Sequence, residues 1–173
     1  MQSLPPSECP FLSHPPSLRR ATPSDAGAIS ALLRRAFEEF EPLYTPQAFV
    51  ATVQPENGIL RRMGEGPLWV GENDQGIIGT VSAMQSEASL LVRGMAVAPE
   101  TRGQKIGKEL LNLTEDYARE QGFASMLLYT TAFLLSAIRL YQSSGFVFTG
   151  EKTNPHGTEL LGMVKLLESH RRP

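Results

Sequence analysis

Cysteine is nearly absent from this chain of 173 residues: the single one, Cys9, lies in a segment rich in proline. One cysteine cannot form an internal disulfide, so the sequence does not encode a disulfide-stapled secreted domain, and we expect a reducing, cytoplasmic location. Cys9 is also an unfavourable nucleophile, because no predicted helix lies beside it to lower the pKa of its thiol.

Long apolar segments and an excess of one charge are missing as well. No stretch approaches the roughly 18 apolar residues that a membrane-spanning helix requires, and prolines interrupt residues 1–17, which therefore do not resemble a signal peptide. The net charge of −2 gives no electrostatic reason to expect nucleic acid or a membrane as a partner. We expect a soluble protein with a disordered leader over 1–17, one domain over 18–167 and a tail over 168–173.

The histidines do not have the spacing of a metal site. His14, His156 and His170 fall in the leader, a loop and the tail, and they form no ligand pattern with one another or with Cys9. No Ser-His-Asp arrangement stands in a recognisable context either. We therefore expect no metal and no serine-type nucleophile.

The period of the apolar residues changes along the chain from helical to β. A first helix is predicted to begin at Pro23 and to be stopped by Pro42, and a second begins at Pro46 and is interrupted by Pro55 and Gly58. The remaining apolar patterns predict strands over 18–21, 68–71, 77–84, 89–98, 125–130, 146–150 and 159–166, and helices over 104–121 and 134–142. This order predicts an α/β (or α+β) fold, with a mixed central sheet of about six to seven strands and about four helices on its faces.

Residues 95–111 carry the most chemistry, because a strand there runs through a turn into a long helix. The first turn of a helix presents backbone N–H groups without partners and a partial positive charge. Gly103 and Gly107 have no Cβ that would keep a ligand from the backbone, and Arg102, Lys105 and Lys108 add positive charge. The combination predicts a pyrophosphate site, although it is neither a P-loop nor the dinucleotide-binding glycine motif.

The same segment resembles the acetyl-coenzyme A signature of the GNAT superfamily of N-acetyltransferases. That signature reads Gln/Arg-x-x-Gly-x-Gly/Ala after a strand that ends in Val-x-Pro; Arg102 matches its first position and Gly107 its last. Lys105 departs from the pattern, because it occupies the position of the middle glycine. A lysine there can still offer its backbone N–H to a phosphate, provided that its φ is negative.

A second segment is similar to another phrase of that family, Ala-x-x-Leu-Tyr-x-x-x-Gly-Phe. The matching residues are Ala137, Leu140, Tyr141, Gly145 and Phe146. Leu134 stands where the family often has an asparagine, so a polar contact with the cofactor would be missing. The resemblance covers roughly residues 18–166 and implies a GNAT-like acyltransferase fold.

The resemblance also implies a cofactor site and a mechanism. The strand end Met95, Ala96 and Val97 would pair with the pantetheine arm of acetyl-coenzyme A, and a backbone N–H near Val97 would polarise the thioester carbonyl. The pyrophosphate would bind to the turn formed by Arg102, Gly103, Gln104, Lys105, Ile106, Gly107 and Lys108. Tyr141 would act as the general acid for the leaving thiolate; without the resemblance, Tyr141 reads as a core aromatic residue.

The acceptor is the open part of this interpretation. We expect a primary amine of a small molecule, bound between the segment 38–44 and the hairpin 85–89, with Glu38, Tyr44 and Glu87 as candidate contacts and no assigned base. Arg93 would pair with a carboxylate or an acidic substrate, or face solvent. The alternatives are a lysine or N-terminus of a protein as acceptor, and a non-catalytic module that senses acyl-coenzyme A. A homodimer is compatible with the sequence.

Overall fold

The computed structural model of the chain describes residues 15–167. Most of the predicted leader and all of the predicted tail lie outside these residues. The first strand begins at Ser17, inside the segment that was expected to be leader. None of the helices in the described chain is long and apolar enough to cross a bilayer.

The described chain contains seven strands and five α-helices. The strands are β1 (Ser17–Arg20), β2 (Leu68–Asn73), β3 (Gly76–Ser86), β4 (Ser89–Val97), β5 (Ser125–Thr130), β6 (Val147–Thr153) and β7 (Leu160–Leu166). The helices are α1 (Ala26–Phe37), α2 (Pro46–Thr52), α3 (Glu56–Glu65), α4 (Ile106–Glu120) and α5 (Leu135–Ser143), with 3-10 turns at Pro23–Asp25, Glu38–Leu43 and Pro99–Thr101. The prediction of a mixed α/β fold is confirmed, with one helix more than expected.

All strands form one sheet in the order β1-β2-β3-β4-β5-β7-β6, and only β4 and β5 run parallel. Neighbouring residues of β2 show how both faces are covered, since side chains of a strand alternate between faces. Val70 packs into the cluster with Ile59 of α3, whereas Trp69 packs into the cluster with Leu110 of α4. The sheet therefore separates α1 and α3 on one face from α4 and α5 on the other.

Two expectations for the helices before β2 were wrong. The first helix does not continue to Pro42: α1 ends at Phe37, and the chain tightens into a 3-10 turn over Glu38–Leu43 that includes the proline. Gly58 does not interrupt a helix but lies inside α3, where an added Cβ would lie 2.4 Å from Oε1 of Gln54. Close packing, and not a break in the helix, is therefore the physical reason for this glycine.

Candidate active site

The two parallel strands at the centre of the sheet separate before they end. β4 and β5 pair only from Ser89↔Ser125 to Val92↔Leu128, although β4 continues to Val97 and β5 to Thr130. The backbone groups of β4 beyond Val92 that point toward β5 therefore have no strand partner there. We call this opening between the ends of β4 and β5 the wedge.

A β-bulge at Gly94 accompanies the wedge. On β3, Ser82 pairs with Arg93 and Thr80 pairs with Ala96, so two residues of β4 oppose one residue of β3. Gly94 has a φ of +61°, a left-handed conformation that glycine adopts without steric cost. A bulge bends its strand and increases the local twist, which accounts for the departure of β4 from β5 at this point.

The turn after β4 exposes a row of backbone N–H groups. Gly103 and Lys105 have φ values of +86° and +65°, and α4 begins directly afterwards at Ile106. Within residues 15–167, the N–H groups of residues 103 and 105–108 donate no hydrogen bond. A left-handed residue followed by a helical one forms a concave nest of N–H groups, which binds anions. The condition of a negative φ at Lys105 is not met, yet its N–H belongs to this nest.

The basic side chains of the turn have different roles in the described chain. The Arg102 guanidinium pairs with Glu39 and donates a 3.0 Å hydrogen bond to the carbonyl oxygen of Ala36, so it ties the turn to the end of α1. Lys108 Nζ lies 2.9 Å from Ser144 Oγ at the end of α5. The Lys105 side chain is exposed and has no polar partner within residues 15–167. Lys105 is therefore the cation of this turn with the most freedom to move toward a ligand.

Gly107 lies at a close contact between elements. An added Cβ there would lie 3.1 Å from Leu140 Cδ2 and 3.4 Å from side-chain atoms of Met95 and Val97. The missing side chain thus lets α4 approach α5 and the end of β4, while the helix N-terminus keeps its free N–H groups. From the sequence, Gly107 was expected to leave room for a ligand. In the structure, the space that its Cβ would take is filled by side chains of the protein.

The positive φ of Lys105 gives a prediction for stability. A residue with a Cβ in the left-handed region costs about 1 kcal/mol relative to glycine. We expect Lys105→Gly to have a free energy of unfolding about 1 kcal/mol higher than Lys105→Ala, because both variants lack the charge and only glycine relieves the strain. Urea denaturation of the two variants measures the difference. Equal stabilities would contradict the left-handed conformation.

Tyr141 on α5 is buried beside the turn. Its ring lies 6.0 Å from that of Phe146, measured between centroids, and no group of residues 15–167 hydrogen-bonds its hydroxyl. Burial, together with the nearby Tyr44, raises the pKa of Tyr141 to about 12. The phenol is therefore protonated at any physiological pH, and its hydroxyl is free to donate to a ligand.

A cleft of about 380 Å³ is lined by Tyr44, the residue that also influences the pKa of Tyr141. Tyr44 and Phe133 form its aromatic wall, with their rings perpendicular and 4.9 Å apart. The loop between β6 and β7 closes the other side, where Thr158 Oγ1 accepts a 3.0 Å hydrogen bond from the backbone N–H of Thr45. The lining is completed by Leu43, Ala132, Gly157 and Glu159.

The Tyr44 side chain, which lines this cleft, is half-buried. Burial raises the pKa of Tyr44, and the nearby hydroxyls of Thr131 and Thr52 oppose that shift. Thr131 Oγ1 is buried and, despite this proximity, makes no hydrogen bond of normal geometry. The cleft therefore combines an aromatic wall with hydroxyl groups that can bind a polar part of a ligand.

The structure separates the candidate acceptor residues. Tyr44 lines the cleft, whereas Glu38 is exposed on the 3-10 turn before it. Glu87 lies in the β3–β4 hairpin, ten residues before Val97 on β4, which at about 3.3 Å per residue is some 30 Å along the strand. The expected approach of residues 38–44 to the hairpin 85–89 was therefore wrong. Phe133 and the β6–β7 loop, and not the hairpin, lie against Tyr44. No sequence motif had indicated either of them.

Comparisons with known proteins agree with this geometry. A sequence model described as the acetyltransferase (GNAT) family matches residues 28–146, more than half of the chain. Human N-acetyltransferase 8B is 38% identical over 89 residues, which are 48% of this chain and 39% of that protein. The chain thus spans less than half the length of this relative.

Solved structures support the same fold. The PaiA N-acetyltransferase of Thermoplasma acidophilum, in complex with coenzyme A, has a TM-score of 0.72 at 17% identity, covering 88% of this chain and 99% of that one. A ribosomal-protein-alanine N-acetyltransferase from Brucella melitensis has a TM-score of 0.69 at 24% identity, covering 87% and 99%. At these identities the likeness concerns the fold alone.

Proposed function

The chain belongs to the acetyltransferase (GNAT) family, and on that premise we propose that it transfers the acetyl group of acetyl-coenzyme A to a primary amine of a small molecule. The observation that carries this proposal is the meeting of two features at one end of the sheet: the wedge and the nest of free N–H groups. The unpaired edge of β4 suits an extended amide-containing arm, and the nest at the start of α4 suits a pyrophosphate. The complex of the PaiA relative with coenzyme A supports the same ligand class.

The residues that would hold the cosubstrate follow from this placement. Met95, Ala96 and Val97 line the wedge, and the free N–H groups of residues 103 and 105–108 form the nest, whereas those of Arg102 and Gln104 donate to Pro99 and Thr101. The backbone N–H of Ala98 donates to Ile78 on β3, 2.8 Å away, and successive N–H groups of a strand point to opposite edges. The N–H of Val97 therefore points into the wedge, where it is able to donate to a carbonyl oxygen. Acetyl-coenzyme A, when bound, supplies the thioester whose C–S bond is replaced by the new C–N bond.

Tyr141 would hold the proton that the leaving sulfur needs. Its hydroxyl has no partner within residues 15–167, and its raised pKa keeps it protonated. The cleft beside Tyr44 and Phe133 would receive the amine. Its aromatic wall and hydroxyl groups suit a small acceptor that has an apolar part and a polar part.

The experiment that tests this proposal combines calorimetric titration with acetyl-coenzyme A and an assay of thiol release. The amine panel contains small amines, a lysine-containing peptide and a peptide with a free N-terminus. We expect micromolar affinity for acetyl-coenzyme A and thiol release with small amines only. Binding without release would favour a sensing module, release with a peptide would favour a protein acceptor, and no binding at millimolar concentration would contradict the proposal.

A further inference from the structure

Two arginines lie where the wedge opens, on the sheet face that carries α3. Arg93 is the first residue of β4 after the last pair with β5. The guanidinium of Arg62, on α3, covers the bulge: a Cβ added to Gly94 would lie 2.5 Å from Arg62 Nη1 and 3.2 Å from Ser82 Oγ. Both positive charges therefore border the part of β4 that we propose to face the ligands.

The charges of this group do not balance. Arg93 forms an ion pair with Glu65, and its Nε is buried without a hydrogen-bond partner. Arg62 makes a single long contact of 3.5 Å with the carbonyl oxygen of Ala51, and no carboxylate within residues 15–167 pairs with it. Burial and the positive charges of Arg93 and Arg61 lower the pKa of Arg62 to about 10, although the nearby Glu65 carboxylate opposes this shift. Partial burial of a cation without an ion-pair partner is unfavourable. An anion that bound to the Arg62 guanidinium would offset this free-energy cost.

The position of Arg62 connects it with the acceptor cleft. Its partner Ala51 lies in α2, next to Thr52, whose hydroxyl is close to that of Tyr44. Tyr44 lines the cleft, and it is also the residue whose charge affects Tyr141. Arg62 therefore borders the opening of the wedge at Gly94, and it contacts the helix that carries the threonine beside Tyr44.

Resting on the acyl transfer proposed above, we propose that Arg62 determines acceptor specificity by binding a carboxylate of the acceptor, which is an amino acid or a closely similar amino-carboxylate. A planar guanidinium with free donors matches the two oxygens of a carboxylate in a bidentate arrangement. The aromatic wall of the cleft favours acceptors with an apolar side chain. Arg93, already paired with Glu65, supports the site through its positive charge.

The test compares acceptors that differ only in the carboxylate. L-phenylalanine, L-phenylalaninamide and 2-phenylethylamine form one set, and leucine, leucinamide and 3-methylbutylamine form a second. A readout independent of turnover is calorimetric binding of N-acetyl-L-phenylalanine and N-acetyl-L-leucine, each against its amide, in the presence of coenzyme A. We expect the carboxylates to be preferred by roughly 10- to 100-fold in kcat/KM and in Kd, as for a hydrogen-bonded charge pair.

Arg62→Gln is expected to abolish this preference, and Arg62→Lys to restore part of it. The matched control is Arg61→Gln, which removes the same charge from the neighbouring, exposed residue and should leave the preference intact. A merely structural role would make Arg62→Gln less stable, whereas we expect an equal or higher Tm, because a half-buried charge without an ion-pair partner is removed.

The outcomes separate this inference from the proposed function. Equal use and equal binding of acids and amides by the unmodified protein would overturn the inference and leave acetyl transfer intact. A preference that persists in Arg62→Gln would overturn it as well. If no amine is acetylated, the proposed function fails. The inference is then still decided by comparing the binding of the N-acetyl acids to the unmodified protein and to Arg62→Gln.

Discussion

Replacing Tyr141 by phenylalanine is expected to lower kcat by about 100-fold or more, the usual contribution of a general acid, with little change in the KM for acetyl-coenzyme A. The substitution removes only the hydroxyl, which has no hydrogen-bond partner within residues 15–167. The protein should therefore keep its free energy of unfolding, because no internal interaction is lost. Steady-state kinetics and thermal denaturation of the same variant measure both quantities.

The pH profile gives an independent check of the role of Tyr141. Because burial raises its pKa to about 12, the proton is present at lower pH and is lost only as the pH rises through that value. We expect no alkaline decline of kcat up to about pH 10 from this group. Tyr117→Phe is the matched control, since Tyr117 lies on α4 and packs against Trp69 of β2. A variant at Tyr141 with kcat within twofold of the unmodified protein would show that the residue only fills the core.

Reversing the two lysines of the turn is the second large change. In Lys105→Glu/Lys108→Glu, two negative charges replace two positive ones beside the nest proposed for the pyrophosphate. Each reversal should cost on the order of 1 kcal/mol or more at a solvated site, so we expect the Kd for acetyl-coenzyme A to rise by roughly 10- to 100-fold. Calorimetric titration measures the change.

Ionic strength distinguishes this electrostatic effect from a damaged fold. The affinity of the unmodified protein should fall between low and physiological salt, and that of the double variant should fall less or rise. Lys152→Glu is the matched control, because Lys152 is exposed on β6, where it pairs with Glu159. An unchanged Kd in the double variant would contradict the placement of the pyrophosphate. Gly107→Glu is a poorer test, because its side chain would be forced against Leu140, Met95 and Val97.

Local sequence signals predicted the elements that carry the site. The strand 125–130 was predicted with its observed bounds, and the helix at 104–121 within two residues, because apolar periodicity and turn residues act over a few positions. The strand–turn–helix of residues 95–111 was likewise readable, since its free N–H groups result from the start of any helix. The left-handed conformation of Lys105 could not be predicted from the sequence, because a residue with a side chain is tolerated at positive φ wherever the surrounding turn requires it.

By itself, the sequence determined the order of helices and strands, the turn before α4 and the motif that contains Tyr141, because each depends on neighbours along the chain. Only the tertiary structure decided which acceptor residues meet: it brought Phe133 to Tyr44 and Arg62 over Gly94, and it left Glu87 at the far end of β4. These contacts join residues that are tens of positions apart. They depend on strand direction, helix packing and a bulge in one strand, which short-range patterns do not encode.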